Sequence, residues 1–190
     1  MTKIYFIRHA QSDNTNSDNR NRPLTEKGMA DRKLVTDFLQ DKNIDIAISS
    51  TFKRAIDTIT PFAISRGLEI ETIEDFRERE ADWMPDINDF HIFSKHQWAD
   101  FSYALPGDEN LTQVQTRNIA ALKNVLEKYK DKNIAIGTHG TALSTIINYY
   151  DKSYGYKDFI AMVNILPWVV YMEFEHLDCK SIQKINLFEV

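Results

Sequence analysis

The sequence holds a single cysteine, Cys179. An internal disulfide is therefore excluded, and a reducing cytoplasm is the expected location. Close to the chain's end, Cys179 reads as a small packed residue, not a nucleophile. No apolar run approaches the ~20 residues that cross a bilayer, so no membrane span is expected. The first residues lack the basic region and apolar block of a secretory signal, in line with the same location. Positive charge is in deficit: 23 Lys and Arg stand against 28 Asp and Glu, a formal net charge of −5. That balance argues against a general nucleic-acid surface. A small anionic ligand fits only where cations are gathered locally. Repeats and low-complexity tracts are missing too. What is left is an ordinary globular mix, 43% hydrophobic and 27% charged over 190 residues. It suits one domain, residues 1–190, with a full core.

Two short stretches organise this chain. Lys3-Ile4-Tyr5-Phe6-Ile7-Arg8-His9 is an apolar, β-branched and aromatic run that stops at an arginine and a histidine. Such a run reads as a buried strand. Asn133-Ile134-Ala135-Ile136-Gly137-Thr138-His139-Gly140 repeats the arrangement. Ligands of open α/β sheets bind at the C-terminal edge of the strands. If the two strands are parallel neighbours, His9 and His139 face one point.

The pattern between and after them alternates. A polar loop over 10–25 carries Arg20 and Arg22 and closes on Pro23-Leu24-Thr25. Thr25 is a good N-cap for a helix over about 26–41, whose apolar positions are Met29, Leu34, Val35, Phe38 and Leu39. A strand over 44–48 leads into a helix over about 52–65, with Ser50 or Thr51 as cap. Pro61 is expected to kink that helix or end it early. Leu68–Ile73 alternates as a half-buried strand does. Residues 74–106 begin charged and then turn aromatic (Trp83, Phe90, Phe93, Trp98, Phe101, Tyr103). They break the alternation and read as an inserted cap, about 76–106, of short helices and loops. Asn110 and Gln113 resemble a capping box for an amphipathic helix to about 130. A helix follows Gly140 to about Tyr150, and a short one is expected within 156–165. Trp168–Phe174 and Ile182–Phe188 read as two strands joined through 175–181 as a hairpin. The expected fold is a three-layer α/β/α sandwich with a mostly parallel sheet, the small cap and a C-terminal antiparallel hairpin.

Arg8 ends one strand and Arg54 opens the helix after another, so both point at the same sheet edge. With the helix N-terminus at Gly140 they make an anion site, and phosphate matches the planar fork of arginine. The plain alternative is that both are surface salt-bridge partners. A lone histidine at a strand end is more often structural than catalytic; two at matched strand ends are less easily a coincidence. A neutral imidazole can attack phosphorus, and a second can steady the transferring group. His91, His96 and His176 lack partners at useful spacing and read as surface or cap residues. A two-histidine metal site would also need a carboxylate, and adjacent arginines would repel the cation.

At Arg8-His9-Ala10-Gln11-Ser12 the chain resembles the histidine phosphatase superfamily, in its phosphoglycerate mutase-like branch, whose opening motif is Arg-His-Gly-Glu-Thr or a variant. Pro23-Leu24-Thr25-Glu26-Lys27-Gly28, Ser49-Ser50 with Arg54-Ala55 and Thr58, Phe76-Arg77-Glu78, Pro106-Gly107-Asp108-Glu109 with Arg117, and Thr138-His139-Gly140 resemble later motifs in the family's order. The resemblance implies His9 as nucleophile. It implies Arg8, Arg54, His139 and the Gly140 N–H as holders of the phosphoryl oxygens. It implies Glu78 as proton donor and then base, with no metal or cofactor. The family's phosphate-touching asparagine is matched by Asn14, one position out of register, with Thr15 and Asn16 as alternatives. The family's Gly-x-Trp-Glu-Gly after the acid is replaced by Ala81-Asp82-Trp83-Met84-Pro85-Asp86.

The resemblance thus implies a phosphomonoesterase acting on a small phosphorylated metabolite through a phosphohistidine. The alternatives are a phosphoglycerate-type phosphomutase and a phospho-ligand binding module without turnover. Expected partners are a small phosphorylated metabolite, no nucleic acid and no membrane, with a homodimer left open. The aromatic cap reads either as a contact for a ring-bearing substrate or as the cap's own small core.

Overall fold

A computed structural model of the chain describes residues 1–81 and 87–189. Six strands form one sheet: β1 (Thr2–Arg8), β2 (Ile46–Ser49), β3 (Ile70–Thr72), β4 (Asn133–Thr138), β5 (Trp168–Glu175) and β6 (Asp178–Ile185). Their order is β3-β2-β4-β1-β5-β6. The first four run parallel, and β5 and β6 are antiparallel. The described residues form six α-helices, α1 (Glu26–Leu39), α2 (Lys53–Arg66), α3 (Ile87–Ala99), α4 (Leu111–Lys128), α5 (Gly140–Tyr150) and α6 (Tyr156–Met162), of which α1 and α2 cover one face of the sheet and α4, α5 and α6 the other.

The side-chain period of two explains the layering. Ile4 and Phe6 of β1 join Ile134 and Ile136 in a core under α4, α5 and α6, which contribute Leu122, Leu143 and Phe159. Tyr5 and Ile7 point the other way, onto Val35 and Leu39 of α1 and Ile59 and Phe62 of α2. The strands therefore read as continuous apolar runs because both faces are covered.

The two histidine strands are parallel neighbours. Their register pairs Arg8 with Thr138, so His9 and His139 leave the sheet side by side. β2 pairs Ser49 with Gly137, which brings Ser50 to the same edge. One line of the sheet thus carries three strand ends.

Local signals set most helix starts. The Thr25 side chain accepts the Gly28 N–H, as a helix N-cap does. Asn110 and Gln113 make the full capping box of α4. Other expectations need correction. The N-cap of α2 is Phe52, with no side-chain cap bond; Ser50 is drawn instead to His139. Pro61 does not end α2, which runs through to Arg66. A proline frees the carbonyl four residues back, and here Arg32 of α1 donates to that carbonyl, Asp57 O, at 3.1 Å. Met29 is exposed, so the apolar face of α1 consists of the buried Val35 and Leu39 with the half-buried Leu34 and Phe38 packed beside them. The cap contains one long helix, α3, after a 3-10 turn at Glu74–Phe76. The final hairpin is tighter than expected, since β6 starts at Asp178 and His176 takes a positive φ of 55° in the turn. Trp83 and the Asp82–Asp86 stretch lie outside the described residues.

Candidate active site

His9 sits at the end of β1 and is 9% exposed; His139, at the end of β4, is fully buried. Their ring centroids are 5.2 Å apart. The His9 backbone N–H donates to Thr138 O at 3.0 Å, an extension of the ladder that fixes the ring's origin. His9 Nδ1 lies 2.7 Å from Ala10 O. A carbonyl only accepts, so Nδ1 carries the proton and the lone pair is on Nε2. Arg54 Nε points at that lone pair from 3.1 Å. His139 Nε2 shares a hydrogen bond with Ser50 Oγ at 2.7 Å. Both imidazoles are held neutral, well below the ordinary imidazole pKa. Burial is the main cause, and the Arg54 guanidinium adds to it.

The arginines are gathered by different elements. Arg54 enters in the first turn of α2 and is anchored by Nη1 on Asn19 O at 2.6 Å. Arg8 Nη1 donates to the carbonyls of Met162, Val163 and Ile165, at 2.7, 2.9 and 3.2 Å, and so caps the end of α6. Its Nε turns to the start of α5, where a Cβ on Gly140 would lie 3.2 Å away. A side chain at 140 would make the guanidinium give way by a few tenths of an ångström. Burial pushes the pKa of Arg8 and of Arg54 down to about 10, and the Glu78 carboxylate opposes that in both.

A third guanidinium belongs here. Arg22 is 7% exposed, and its Nη1 donates to Asn14 Oδ1 at 2.8 Å. Its charge acts on His9 and on Arg54. Among the described residues, the buried side-chain nitrogens without a hydrogen-bond partner are Arg8 Nε, Arg22 Nε and His139 Nδ1. All three belong to side chains gathered around His9. An unpartnered buried donor is costly, and an oxyanion among them would satisfy it.

The family motifs acquire structural reasons. A Cβ on Gly28 would meet Gln11 O at 2.1 Å, so glycine lets the loop after His9 lie on α1. Thr58 Oγ1 accepts the Ala10 N–H at 3.0 Å, and this fixes the backbone beside the histidine. Glu78 accepts the N–H groups of Thr141 and Ala142 at 2.9 and 3.1 Å. Its carboxyl therefore sits on the first turn of α5, beside the N–H of Gly140.

The sequence model of the histidine phosphatase superfamily (branch 1) matches residues 4–162. The chain belongs to this superfamily. A phosphatase of Bacillus subtilis named PhoE, itself uncharacterised, is 27% identical over 154 residues, which are 77% of this chain and 76% of that protein. Among solved structures, a mycobacterial glucosyl-3-phosphoglycerate phosphatase superposes with a TM-score of 0.78 at 17% identity, covering 97% of this chain and 98% of the other. The phosphoserine phosphatase of Entamoeba histolytica gives 0.78 at 19%, covering 98% and 99%. At those identities the likeness is one of fold, and the fold is that of the histidine phosphatases.

Within this histidine phosphatase domain the expected residues His9, His139, Arg8, Arg54, Glu78 and Gly140 meet at one sheet edge. Asn14 is exposed and reaches the site only through Arg22. It lines a cavity of about 510 Å³ together with Asn16, Ser17, Arg20, Phe52 and Glu80. A larger hollow, about 590 Å³, lies by Met1, Asp131 and His176 at the opposite edge of the sheet, away from His9 and His139. Arg22 and Ser50 were missed as site residues by sequence reasoning. Their positions beside Pro23-Leu24-Thr25 and within Ser49-Ser50 were the available signals. The cap aromatics divide: Phe93 packs on Tyr103 within the cap at 5.7 Å, whereas Trp98 packs on Phe101 at 5.4 Å and also on Tyr154 at 5.8 Å and Phe159 at 5.5 Å. Tyr154 and Phe159 belong to the main core, so Trp98 and Phe90 dock the cap onto that core.

Proposed function

We propose that the chain is a metal-independent phosphomonoesterase that hydrolyses a small phosphorylated metabolite through a phosphohistidine on His9. One observation carries this reading: three partnerless buried nitrogens, on Arg8, Arg22 and His139, belong to side chains close to an imidazole whose Nε2 lone pair faces an arginine. That set matches a nucleophile and the donors for a phosphoryl group. Membership of the superfamily and the phosphatase relatives agree with it.

His9 Nε2 attacks phosphorus, and the bond from phosphorus to the ester oxygen breaks. Arg54, Arg8, Arg22, His139 and the Gly140 N–H take the phosphoryl oxygens, so Arg54 Nε exchanges the His9 lone pair for an oxygen. Glu78 gives its proton to the departing alkoxide. Water then attacks the phosphorus, Glu78 takes the water's proton, the N–P bond breaks, and His9 returns to its neutral form. Asn14 acts from the cavity wall, by holding Arg22.

The wall at 14–20 presents amide and hydroxyl groups and the Arg20 guanidinium. It suits a small polar leaving group rich in hydroxyls or a carboxylate, and the named substrates of the two structural neighbours are of that kind. Cytoplasmic residence and one domain over residues 1–190 complete the proposal.

The test is a panel of phosphorylated metabolites, with and without a chelator, scored for free phosphate and for isomerised product. Free phosphate that persists with chelator supports the reading. Isomerised product makes the chain a mutase, binding without turnover makes it a binding module, and loss with chelator revives a metal.

A further inference from the structure

The segment that carries Glu78 has no regular structure of its own after the 3-10 turn at Glu74–Phe76. Its backbone groups must find partners elsewhere. Four of them, the carbonyls of Asp75, Arg77 and Glu78 and the N–H of Glu80, find partners on the side chains of one ion pair. Arg117 of α4 is 11% exposed at its side chain and Glu109 is 15% exposed. Arg117 grips Glu109 with two bonds, Nε to Oε1 and Nη2 to Oε2, both at 2.8 Å. The rest of its fork goes to the Glu78 segment. Nη1 donates to Asp75 O at 2.9 Å and Arg77 O at 2.8 Å, and Nη2 donates to Glu78 O at 3.0 Å. Glu109 completes the clamp: its Oε2 accepts the Glu80 N–H at 2.8 Å, and its own N–H donates to Glu80 O at 2.9 Å.

Beyond the mutual bonds, these side-chain contacts all end on residues 75–80, and a further one from the same segment runs from Arg77 Nη2 to Glu109 Oε1 at 3.1 Å. A surface pair would hold nothing in place. This one is bidentate and mostly shielded from solvent, and it fixes the main chain on both sides of the Glu78 Cα. The Glu78 carboxyl is held in turn by the N–H groups of Thr141 and Ala142.

We propose that Arg117, braced by Glu109, is the positioning residue that sets the Glu78 carboxyl for proton transfer to the leaving group. The inference rests on the reading of Glu78 as proton donor. It predicts a signature that mere loss of stability does not give. A leaving group that departs as a stable anion needs no proton, and an alkoxide does. Damage to the position of Glu78 must therefore fall on alkyl esters and spare activated aryl esters.

The test compares p-nitrophenyl phosphate with the best alkyl phosphate found in the metabolite panel. Arg117→Lys keeps a charge beside Glu109 but cannot span five acceptors with one ammonium. Its kcat/KM is expected to fall about 10–100-fold on the alkyl ester and less than about threefold on the aryl ester, since general acid catalysis is worth about 10²–10⁴-fold in all. Glu78→Gln should show the same split, and the double variant Arg117→Lys/Glu78→Gln should be no worse than Glu78→Gln alone. Should Arg117→Lys fail to fold, Glu109→Gln is read in the same way. Equal losses on both esters, no loss on either, or additive losses in the double variant would overturn the inference. If Glu78→Gln itself shows no split, the inference falls together with the proton-donor role. The phosphatase reading is checked separately by His9→Ala, whose inactivity would leave it standing.

Discussion

Three strand ends make the floor of the site, and irregular segments make its wall. The floor is β1, β2 and β4 stopping in register, so that Arg8-His9, Ser49-Ser50 and Thr138-His139 stand side by side. Its groups are buried and carry several bonds each. Thr58 pins Ala10, Ser50 pins His139, and Asn19 and His9 pin Arg54. The wall is the 13–22 loop and the end of the Glu78 segment. Asn14 and Arg20 are exposed there, and their bonds stay within the loop or reach Glu74 and Glu80. A sheet edge places atoms to within a few tenths of an ångström, which phosphoryl transfer requires. A loop can change its residues without disturbing that edge. On the proposed mechanism the nucleophile stands on the sheet edge, while the proton donor Glu78, the third guanidinium Arg22 and the groups facing the substrate come from the irregular segments.

The sharpest way to break this division is His9→Ala. It should cost at least about 10⁴-fold in phosphate release from p-nitrophenyl phosphate, in line with removal of a covalent nucleophile. Retained turnover would mean that the floor does not hold the nucleophile. Arg54→Ala is next, with an expected loss on the order of 10²–10³ in kcat, as for one oxyanion donor. It is the better arginine to test, because Arg8 also caps α6 and its loss would mix folding with chemistry. If Arg54 only ties the loop at Asn19, the rate on p-nitrophenyl phosphate will barely move.

The cap should respond in stability and not in rate. Trp98→Ala is expected to destabilise by about 2–3 kcal/mol in urea unfolding, below the 3–5 of a fully buried ring because Trp98 is only half-buried. A matching collapse of kcat would place the cap aromatics in the site.

The buried neutral imidazoles make the floor sensitive to acid. Unfolded His9 and His139 take up protons below about pH 6.5, and the folded rings do not. The unfolded state then binds more protons, so stability drops as pH falls through that value, by at most about 1.4 kcal/mol per pH unit for each ring. Denaturation midpoints between pH 7.5 and 5.5 check this, and His139→Asn should flatten the slope. A slope unchanged by that substitution would show that His139 already titrates normally.

Asn14→Ala should have the smallest effect on activity, because Arg22 keeps its charge and water can reach the exposed Asn14 position. The lost bond has a charged donor, so its cost is expected at the low end for such bonds, about 1.5 kcal/mol, or about 10-fold in KM, with kcat nearly untouched. A large loss in kcat would move Asn14 from the wall to the floor.

How much of this was legible follows the same line. The floor could be read because its residues close apolar runs: Ile4–Ile7 before Arg8-His9, and Ile134–Ile136 before Thr138-His139. Thr25 and the Asn110–Gln113 box could be read because a cap and its helix are adjacent in sequence. What escaped depends on contacts that no local pattern encodes. Pro61 is tolerated because Arg32, on another helix, takes the carbonyl it frees. Ser50 looks like a helix cap until His139 arrives from a strand 89 residues away. Arg22 looks like one more loop cation, and only the fold of the loop over α2 buries it. The length of α3 was hidden by an aromatic-rich composition with weak periodicity.

The central claim is that the phosphoryl group passes through covalent attachment to His9. Rapid quenching of a turnover mixture into alkali, followed by mass spectrometry of the peptides, tests it most directly. A phosphoryl group that is stable to alkali, lost in acid and confined to His9 is the predicted result. Steady turnover with no phosphorylated His9 at any quench time, or with the group on another residue, would contradict it.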